Sequence, residues 1–443
     1  MNDVHDHPRT ACEAGWHVSR YNLSARLPES DKTVFVNLLR GTCEELSPLE
    51  TFLLSELEQL DEHHPVIKLL ERRGVICNFD ELAALNAMGR MYTAESQTIG
   101  LVICPTMACN FNCPYCFEDH FAGLMSQEVQ DDIVALATKL FDASRARALQ
   151  VNWFGGEPLL APDIIASLSE RLIALAEERG ATYEAGIVTN GYLLTQENAD
   201  MLGRARVNEA QITLDGMAAS HNATRHIADG RPTFDRITKN LRELRLPFCV
   251  HVRHNVTADN IDDIEPLKAL VSQIAEESGN ELDYLHAVVI RNEASDCRGI
   301  SSELLSSAEE ESIRLELEAQ RFGRGRAYYC LANSLWSMGV DHLGNLQKCW
   351  EAVDKPRYSF GTAHNWNPAD PFATASNADL LTCYINTACP VPDEECQSCV
   401  WLPHCVGACP HRRLFDGGRI CVPYRDNPTA FVLAIHAYKQ RNK

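Results

Sequence analysis

Six apolar runs recur between residues 98 and 291, with helix-patterned stretches between them, and this alternation restricts the chain to few architectures. The runs are Thr98–Cys104, Ala148–Phe154, Tyr183–Thr189, Glu209–Leu214, Phe248–Asn255 and Asp283–Arg291. Between them fall Val129–Leu140, Pro162–Arg179, Gln196–Arg204, Asp235–Leu244 and Ile261–Ala275. Strands alternating with amphipathic helices predict an α/β fold with a parallel sheet, since each crossover returns the chain to the same end. Six such units over residues 97–292 predict a partial (β/α)6, TIM-like barrel. Functional groups in such folds gather at the carboxyl ends of the strands. The chemically suggestive residues fall there: Cys109–Cys116, Gly155–Pro158, Asn190–Gly191, Asp215–Gly216 and Arg253–Asn255.

Outside this region the pattern differs. Residues 1–17 read as a polar arm. Tyr21–Leu27 and Thr33–Leu39 read as strands joined by the turn-like Pro28–Lys32. Ser47 and Pro48 look like an N-cap and first helical residue, and Pro65–Arg73 reads as a second helix before a short strand at Gly74–Asn78. Residues 18–94 therefore predict a small winged-helix-like α+β module. A charged helical stretch, Ser307–Phe322, sits in a bridge spanning 293–327. A loop-rich, cysteine-rich domain is expected over 328–425 and a closing helix in 426–443.

Charge and cysteine content limit the function. With 61 acidic against 40 basic residues the net charge is −21, which argues against nucleic acid or an anionic membrane surface as partner. No apolar run reaches membrane-span length, and the first residues lack a signal-peptide layout, so a cytoplasmic location is expected. Disulfides rarely persist in that compartment, so eighteen cysteines point to metal ligation. Three lie between 109 and 116 and five between 396 and 421. Cys12, Cys43, Cys77, Cys104, Cys249, Cys383 and Cys389 lie outside the clusters and read as small buried apolar residues.

The first cluster runs Cys109-Asn-Phe-Asn-Cys113-Pro-Tyr-Cys116. Three thiolates can hold three irons of a cubane [4Fe–4S] cluster and leave the fourth iron open for a ligand. A zinc site is the alternative, although zinc loops usually use paired C-x2-C units. This segment resembles the signature of the radical S-adenosylmethionine superfamily, C-x3-C-x2-C with an aromatic residue, here Tyr115, before the third cysteine. The resemblance implies that the open iron chelates S-adenosyl-L-methionine and that reductive cleavage yields a 5′-deoxyadenosyl radical. Gly155-Gly156-Glu157-Pro158 is similar to the family's GGEP motif, implied to meet the methionyl amino group. Asn190, Asp215 and Arg225 resemble later landmarks, and Arg253 and Asn255 are candidates for the carboxylate or ribose. A strand-end turn or solvated charge is the plainer reading of Asn190, Asp215, Arg225 and Arg253.

The second region gives Cys330-x13-Gly344-x4-Cys349, then Cys396-x2-Cys399-x5-Cys405-x3-Cys409 and finally Cys421. It resembles the seven-cysteine SPASM extension of peptide- and protein-modifying radical enzymes. The resemblance implies two auxiliary [4Fe–4S] clusters. Cys330, Cys349 and Cys409 would hold the inner one, with Cys297, Cys383 or no residue as fourth ligand. Cys396, Cys399, Cys405 and Cys421 would hold the outer one. Two zinc ribbons are the alternative.

Together these features predict a peptide-modifying radical enzyme, expected to install a thioether or carbon–carbon cross-link in a ribosomally synthesised peptide. Residues 18–94 resemble leader-recognition modules that add a leader peptide as an extra strand at a sheet edge. A peptide or protein substrate and an electron donor such as flavodoxin or ferredoxin are the implied partners. Formylglycine formation, as in anaerobic sulfatase-maturing enzymes, is the second reading; there an aspartate follows an auxiliary-cluster cysteine, whereas Trp350 and Glu351 follow Cys349. Glu351 is the candidate base. An iron–sulfur electron carrier or redox sensor is the non-catalytic alternative.

Overall fold

The computed structural model describes residues 15–94, 97–289, 307–324, 330–387, 393–415 and 421–442. Residues 1–14, most of the 293–327 bridge ahead of Ser307, Cys297 and Cys389 lie outside the described residues. The chain divides into two units. One draws on Met1–Met91, Glu311–Tyr329 and Asn386–Lys443, the other on Tyr92–Glu310 and Cys330–Ile385.

The first unit starts with β1 (His17–Val18), β2 (Asn22–Arg26), β3 (Thr33–Asn37) and β4 (Thr42–Leu46). The last three form an antiparallel sheet in the order β2-β3-β4. Leu23 and Ala25 on β2, and Val34 and Val36 on β3, are buried at the two-residue spacing of a strand with one face inward. That face packs on Phe431, Val432 and Ile435 of the helix Pro428–Arg441 and on Trp401 and Tyr424. Ser47 caps α1 (Pro48–Ser55) through a capping box: Glu50 N–H donates to Ser47 Oγ at 3.3 Å, and Ser47 N–H donates to Glu50 Oε2 at 2.8 Å. α1 and α2 (Pro65–Arg72) bury Leu54, Val66, Ile67 and Leu70 against Leu46. β5 (Ile76–Cys77) pairs antiparallel with β1, and α3 (Glu81–Ala94) follows. The strands β1 and β4 and the helix α3 add to the elements expected from the sequence.

The second unit contains the six expected parallel strands: β6 (Thr98–Ile103), β7 (Ala148–Trp153), β8 (Thr182–Thr189), β9 (Val207–Thr213), β10 (Cys249–Val256) and β11 (Leu282–Val289). The helices α4 (Gln127–Ala143), α5 (Pro162–Glu178), α6 (Gln196–Arg204), α7 (Ala218–Thr224), α8 (Phe234–Glu243) and α9 (Ile264–Ser278) lie between them in sequence. The fold is α/β, as expected. Three further strands, β12 (Ser337–Val340), β13 (Asn345–Gln347) and β14 (Ser359–Thr362), extend the sheet beyond β6 to nine strands. β12 runs parallel to β6, and β13 and β14 follow antiparallel.

The cysteine-rich segment expected as one domain from residue 328 therefore divides. Its first part continues the barrel sheet through the β6–β12 ladder. Its later part belongs with the amino-terminal strands through the Trp401–Tyr424–Phe431 aromatic core, whose ring centroids lie 4.9–5.4 Å apart. Replacing Phe431 by Ala is expected to cost about 3–5 kcal/mol, read as a lower urea midpoint for the first unit.

Candidate active site

β6 ends at Ile103, and the chain turns through Thr106, whose hydroxyl donates to the Gly123 carbonyl at 2.6 Å. The cysteine loop follows. Cys113 is buried, and Cys109 and Cys116 are half-buried. Cys116 N–H donates to the Cys113 carbonyl at 3.2 Å, and Phe111 N–H donates to Cys109 Sγ at 3.4 Å. Burial pushes all three thiols up, Cys116 to about 12, and Cys113 and Cys116 add to the rise at Cys109. Such thiols stay protonated at neutral pH until a bound cation displaces the protons.

Gly155 and Gly156 follow β7 and lie against this loop. A Cβ on Gly156 would meet the Ala108 carbonyl oxygen at 2.4 Å, and one on Gly155 would meet that of Thr106 at 2.3 Å. Gly155 also has φ of +104°, which disfavours a side chain. The glycines are thus required for backbone contact with the cysteine loop. Pro158 opens a short 3₁₀ turn, Pro158–Leu160.

Glu157 is fully buried, yet its carboxylate is well supplied. Oε1 accepts from Thr189 Oγ1 at 2.7 Å and Leu159 N–H at 2.9 Å, and Oε2 accepts from Asn190 N–H at 2.7 Å. Burial pushes its pKa up while these hydrogen bonds hold it back. Three donors occupy most of its lone-pair sites, so Glu157 joins the ends of β7 and β8. Asn190 then donates to Asn110 Oδ1 in the cysteine loop at 2.7 Å.

Tyr115 is the centre of a second network. Its hydroxyl donates to Asp215 Oδ2 and accepts from Arg225 Nη1 at 2.7 Å. Asn255 Nδ2 donates to Asp215 Oδ1 at 3.1 Å, Thr224 Oγ1 donates to Asp215 Oδ2 at 3.1 Å, and Arg253 Nε donates to Asn255 Oδ1 at 3.0 Å. Asn260 Nδ2 fixes the backbone here, donating to the carbonyls of Asp215 and Asn255. Burial works against the Arg225 charge, but Tyr115, Cys113 and Asp215 hold it protonated, and its guanidinium lies 5.7 Å from the Phe111 ring centroid. Tyr115, Glu157, Asn190, Asp215, Arg225, Arg253 and Asn255 thus stand within hydrogen-bonded networks at one end of the strands.

Within the sheet lies a cavity of about 190 Å³, lined by Asn152, Gln211, His251, Arg253 and Trp350 among others. Trp350 packs edge-on to Phe154 at 5.2 Å. Glu351, one residue on, is half-buried, and its charge acts on Arg253. Sequence reasoning missed the neighbouring Glu118, Asp354 and Lys355. Lys355 Nζ donates to the Phe117 carbonyl at 2.8 Å, and Asp119 N–H donates to Asp354 Oδ2. Glu118 is buried and its carboxyl is pushed up to about 8 by burial and then by Asp354. Its place two residues after Cys116 was the only available signal.

The auxiliary cysteines occupy different places. Cys330 is exposed and Cys349 half-buried in the second unit, while half-buried Cys409 belongs to the first. Cys396, Cys399, Cys405 and Cys421 are free thiols lining a single pocket in the first unit with Trp401, Leu402 and Arg425. Arg425 Nη1 donates to Cys421 Sγ at 3.3 Å.

Glu157→Gln would place an amide NH2 against backbone and hydroxyl donors. The expected outcome is a loss of about 1–3 kcal/mol in stability, measured by thermal unfolding.

Residues 103–271 match the Radical SAM superfamily. Over 210 residues the chain is 26% identical to the AdoMet-dependent heme synthase of Nitratidesulfovibrio vulgaris, covering 47% of this chain and 52% of that protein. Over 121 residues it is 27% identical to the PqqA peptide cyclase of Gluconobacter oxydans, covering 27% and 31%. The chain thus spans about half or less of the length of these curated relatives. Among solved structures, native anSMEcpe with bound AdoMet and Cp18Cys peptide superposes with a TM-score of 0.58 over 78% of this chain and 98% of that one. At 18% identity the likeness is one of fold. Among the described residues no helix is long and apolar enough to cross a membrane. The matched stretch, residues 103–271, begins at the end of β6 and carries the cysteine loop, so over this span the chain is similar to the Radical SAM superfamily.

Proposed function

We propose that this protein is a radical S-adenosylmethionine enzyme that modifies a peptide or protein, installing a thioether or carbon–carbon cross-link in a ribosomally synthesised peptide. One observation carries the reading. The three-cysteine loop and two buried polar networks meet at one end of a parallel sheet whose strands line an open cavity of about 190 Å³.

The residues fit the implied cofactors. Cys109, Cys113 and Cys116 would hold the [4Fe–4S] cluster, and three soft thiolates leave one iron open. Among the described residues, Arg225 Nε and Asn110 Nδ2 are buried donors without an acceptor, which suits a ligand bearing carboxylate and ribose oxygens. Cluster and S-adenosylmethionine together supply one-electron cleavage of the sulfonium, the source of a hydrogen-abstracting radical. The chain's own part is positioning. Gly155 and Gly156 hold the strap against the cysteine loop, Tyr115 joins Arg225 to Asp215, and Trp350, packed on Phe154, lines the cavity. The Cys396–Cys421 pocket supports the outer auxiliary cluster, and Cys330, Cys349 and Cys409 are assigned to the inner one by resemblance.

A peptide substrate is supported by the PqqA peptide cyclase relative and by the fold shared with peptide-bound anSMEcpe. β2 is an edge strand of its sheet, where a leader segment could add in antiparallel or parallel register. Formylglycine formation is the second reading, favoured by one observation: half-buried Glu351 directly follows Trp350, which lines the cavity.

Anaerobically reconstituted protein, reduced and supplied with S-adenosylmethionine, is expected to release 5′-deoxyadenosine. Replacing Cys109, Cys113 and Cys116 together by Ala is expected to abolish that release; persistence overturns the assignment. Co-expression with a substrate peptide should show the loss of a pair of hydrogens by mass spectrometry. Glu351→Gln separates the two readings. It should leave 5′-deoxyadenosine release intact in both, and lower substrate conversion at least tenfold only if Glu351 accepts a substrate proton.

A further inference from the structure

A second group of metal-ligating side chains lies in the first unit, outside the iron–sulfur residues. His17 and Cys77 are direct cross-strand partners in the β1–β5 ladder, so their side chains share a face. Cys77 Sγ lies 3.2 Å from His17 Nε2. Glu81 starts α3 four residues later, and one ligand atom from each of the three residues lies within 4.8 Å of the other two. Around a tetrahedral zinc ion, with Zn–S about 2.3 Å and Zn–N or Zn–O about 2.0–2.2 Å, such atoms stand about 3.3–3.6 Å apart. Small side-chain shifts close this set on an ion.

The surroundings already orient the ligands. His17 Nδ1 donates to the Gly15 carbonyl at 3.1 Å, which leaves the Nε2 lone pair facing the thiol. Ser19 Oγ donates to Glu81 Oε1 at 2.6 Å, and Arg20 N–H donates to Glu81 Oε2 at 2.8 Å. Each carboxylate oxygen keeps a lone pair. Ser19 is held in turn, because Asn37 Nδ2 donates to its hydroxyl at 2.7 Å. Hydrogen bonds that fix ring tautomer and carboxylate orientation are the usual second layer of a protein metal site. Charge balance points the same way. Glu81 is 3% exposed and, among the described residues, no lysine or arginine is ion-paired with it. A divalent cation between a thiolate and a carboxylate makes the site electrically neutral.

We propose that His17, Cys77 and Glu81 form a zinc site that fastens β1 to the first turn of α3, with water as the fourth ligand beside half-buried His17. A cysteine that reads from the sequence as a small apolar residue thereby becomes a ligand. Zinc suits a mixed S, N, O set, whereas clusters of iron and sulfide take mainly thiolates.

The full-length, iron-reconstituted protein, equilibrated with zinc and desalted, tests this. Elemental analysis is expected to give one zinc per chain in addition to iron. Zinc K-edge absorption, which iron does not obscure, is expected to show one sulfur at about 2.3 Å and three nitrogen or oxygen neighbours at about 2.0–2.2 Å. Cys77→Ala and His17→Ala should each lower zinc at least tenfold with iron per chain unchanged. His17 is half-buried on a two-residue strand, so its replacement reports on the metal even if Cys77→Ala misfolds. Absence of zinc from the native sequence, retention of zinc by His17→Ala, or a shell of three or four sulfurs would overturn the proposal; the last places zinc in a cluster site.

Discussion

A carboxylate removed from water must be surrounded by donors, and at this site two of them are. Glu157 gathers the Thr189 hydroxyl and the backbone N–H groups of Leu159 and Asn190 into one node, and Asp215 gathers Tyr115, Thr224 and Asn255 into another.

 Neither carboxylate is a bare charge waiting for a ligand. Each holds strand ends and loop backbone at a fixed spacing, and the cysteine loop takes its position from both: Asn110 is held through Asn190, and Tyr115 through Asp215. Low local dielectric strengthens such bonds and makes any missing partner costly, which gives the site its rigidity.

Much of this was legible in the chain. The six strands were readable because apolar residues recur in short runs or at two-residue spacing, and the helices because their apolar residues follow helical spacing. The cysteine spacing identified the loop itself. Other features left no local trace. β1 is only two residues long, and the acidic pair in β4 (Glu44 and Glu45) obscures its alternation. The roles of Gly155 and Gly156 depend on carbonyls near fifty residues away in sequence, and that of Tyr115 on a carboxylate and a guanidinium more than ninety residues on. Glu118, Asp354 and Lys355 meet only through the fold.

The cysteine-rich segment shows how sequence spacing and spatial grouping separate. Its regular motif reads as one domain, but backbone pairing binds Ser337–Val340 to the first barrel strand, while aromatic packing draws Trp401 and Tyr424 to the helix Pro428–Arg441. Hydrogen-bond ladders and aromatic cores impose stronger constraints than ligand spacing alone, since a loop can span the distance between them at modest entropic cost.

The apolar face of β2 and β3 is closed by Phe431, Val432 and Ile435, residues that a ribosome adds almost four hundred positions later. During synthesis those strands must wait, with Tyr21, Val34 and Val36 exposed to other chains, until the carboxyl-terminal helix emerges. Closure of that apolar face is thereby a late event in synthesis, set by the sequence separation of the packed elements and not by the order in which the strands are made.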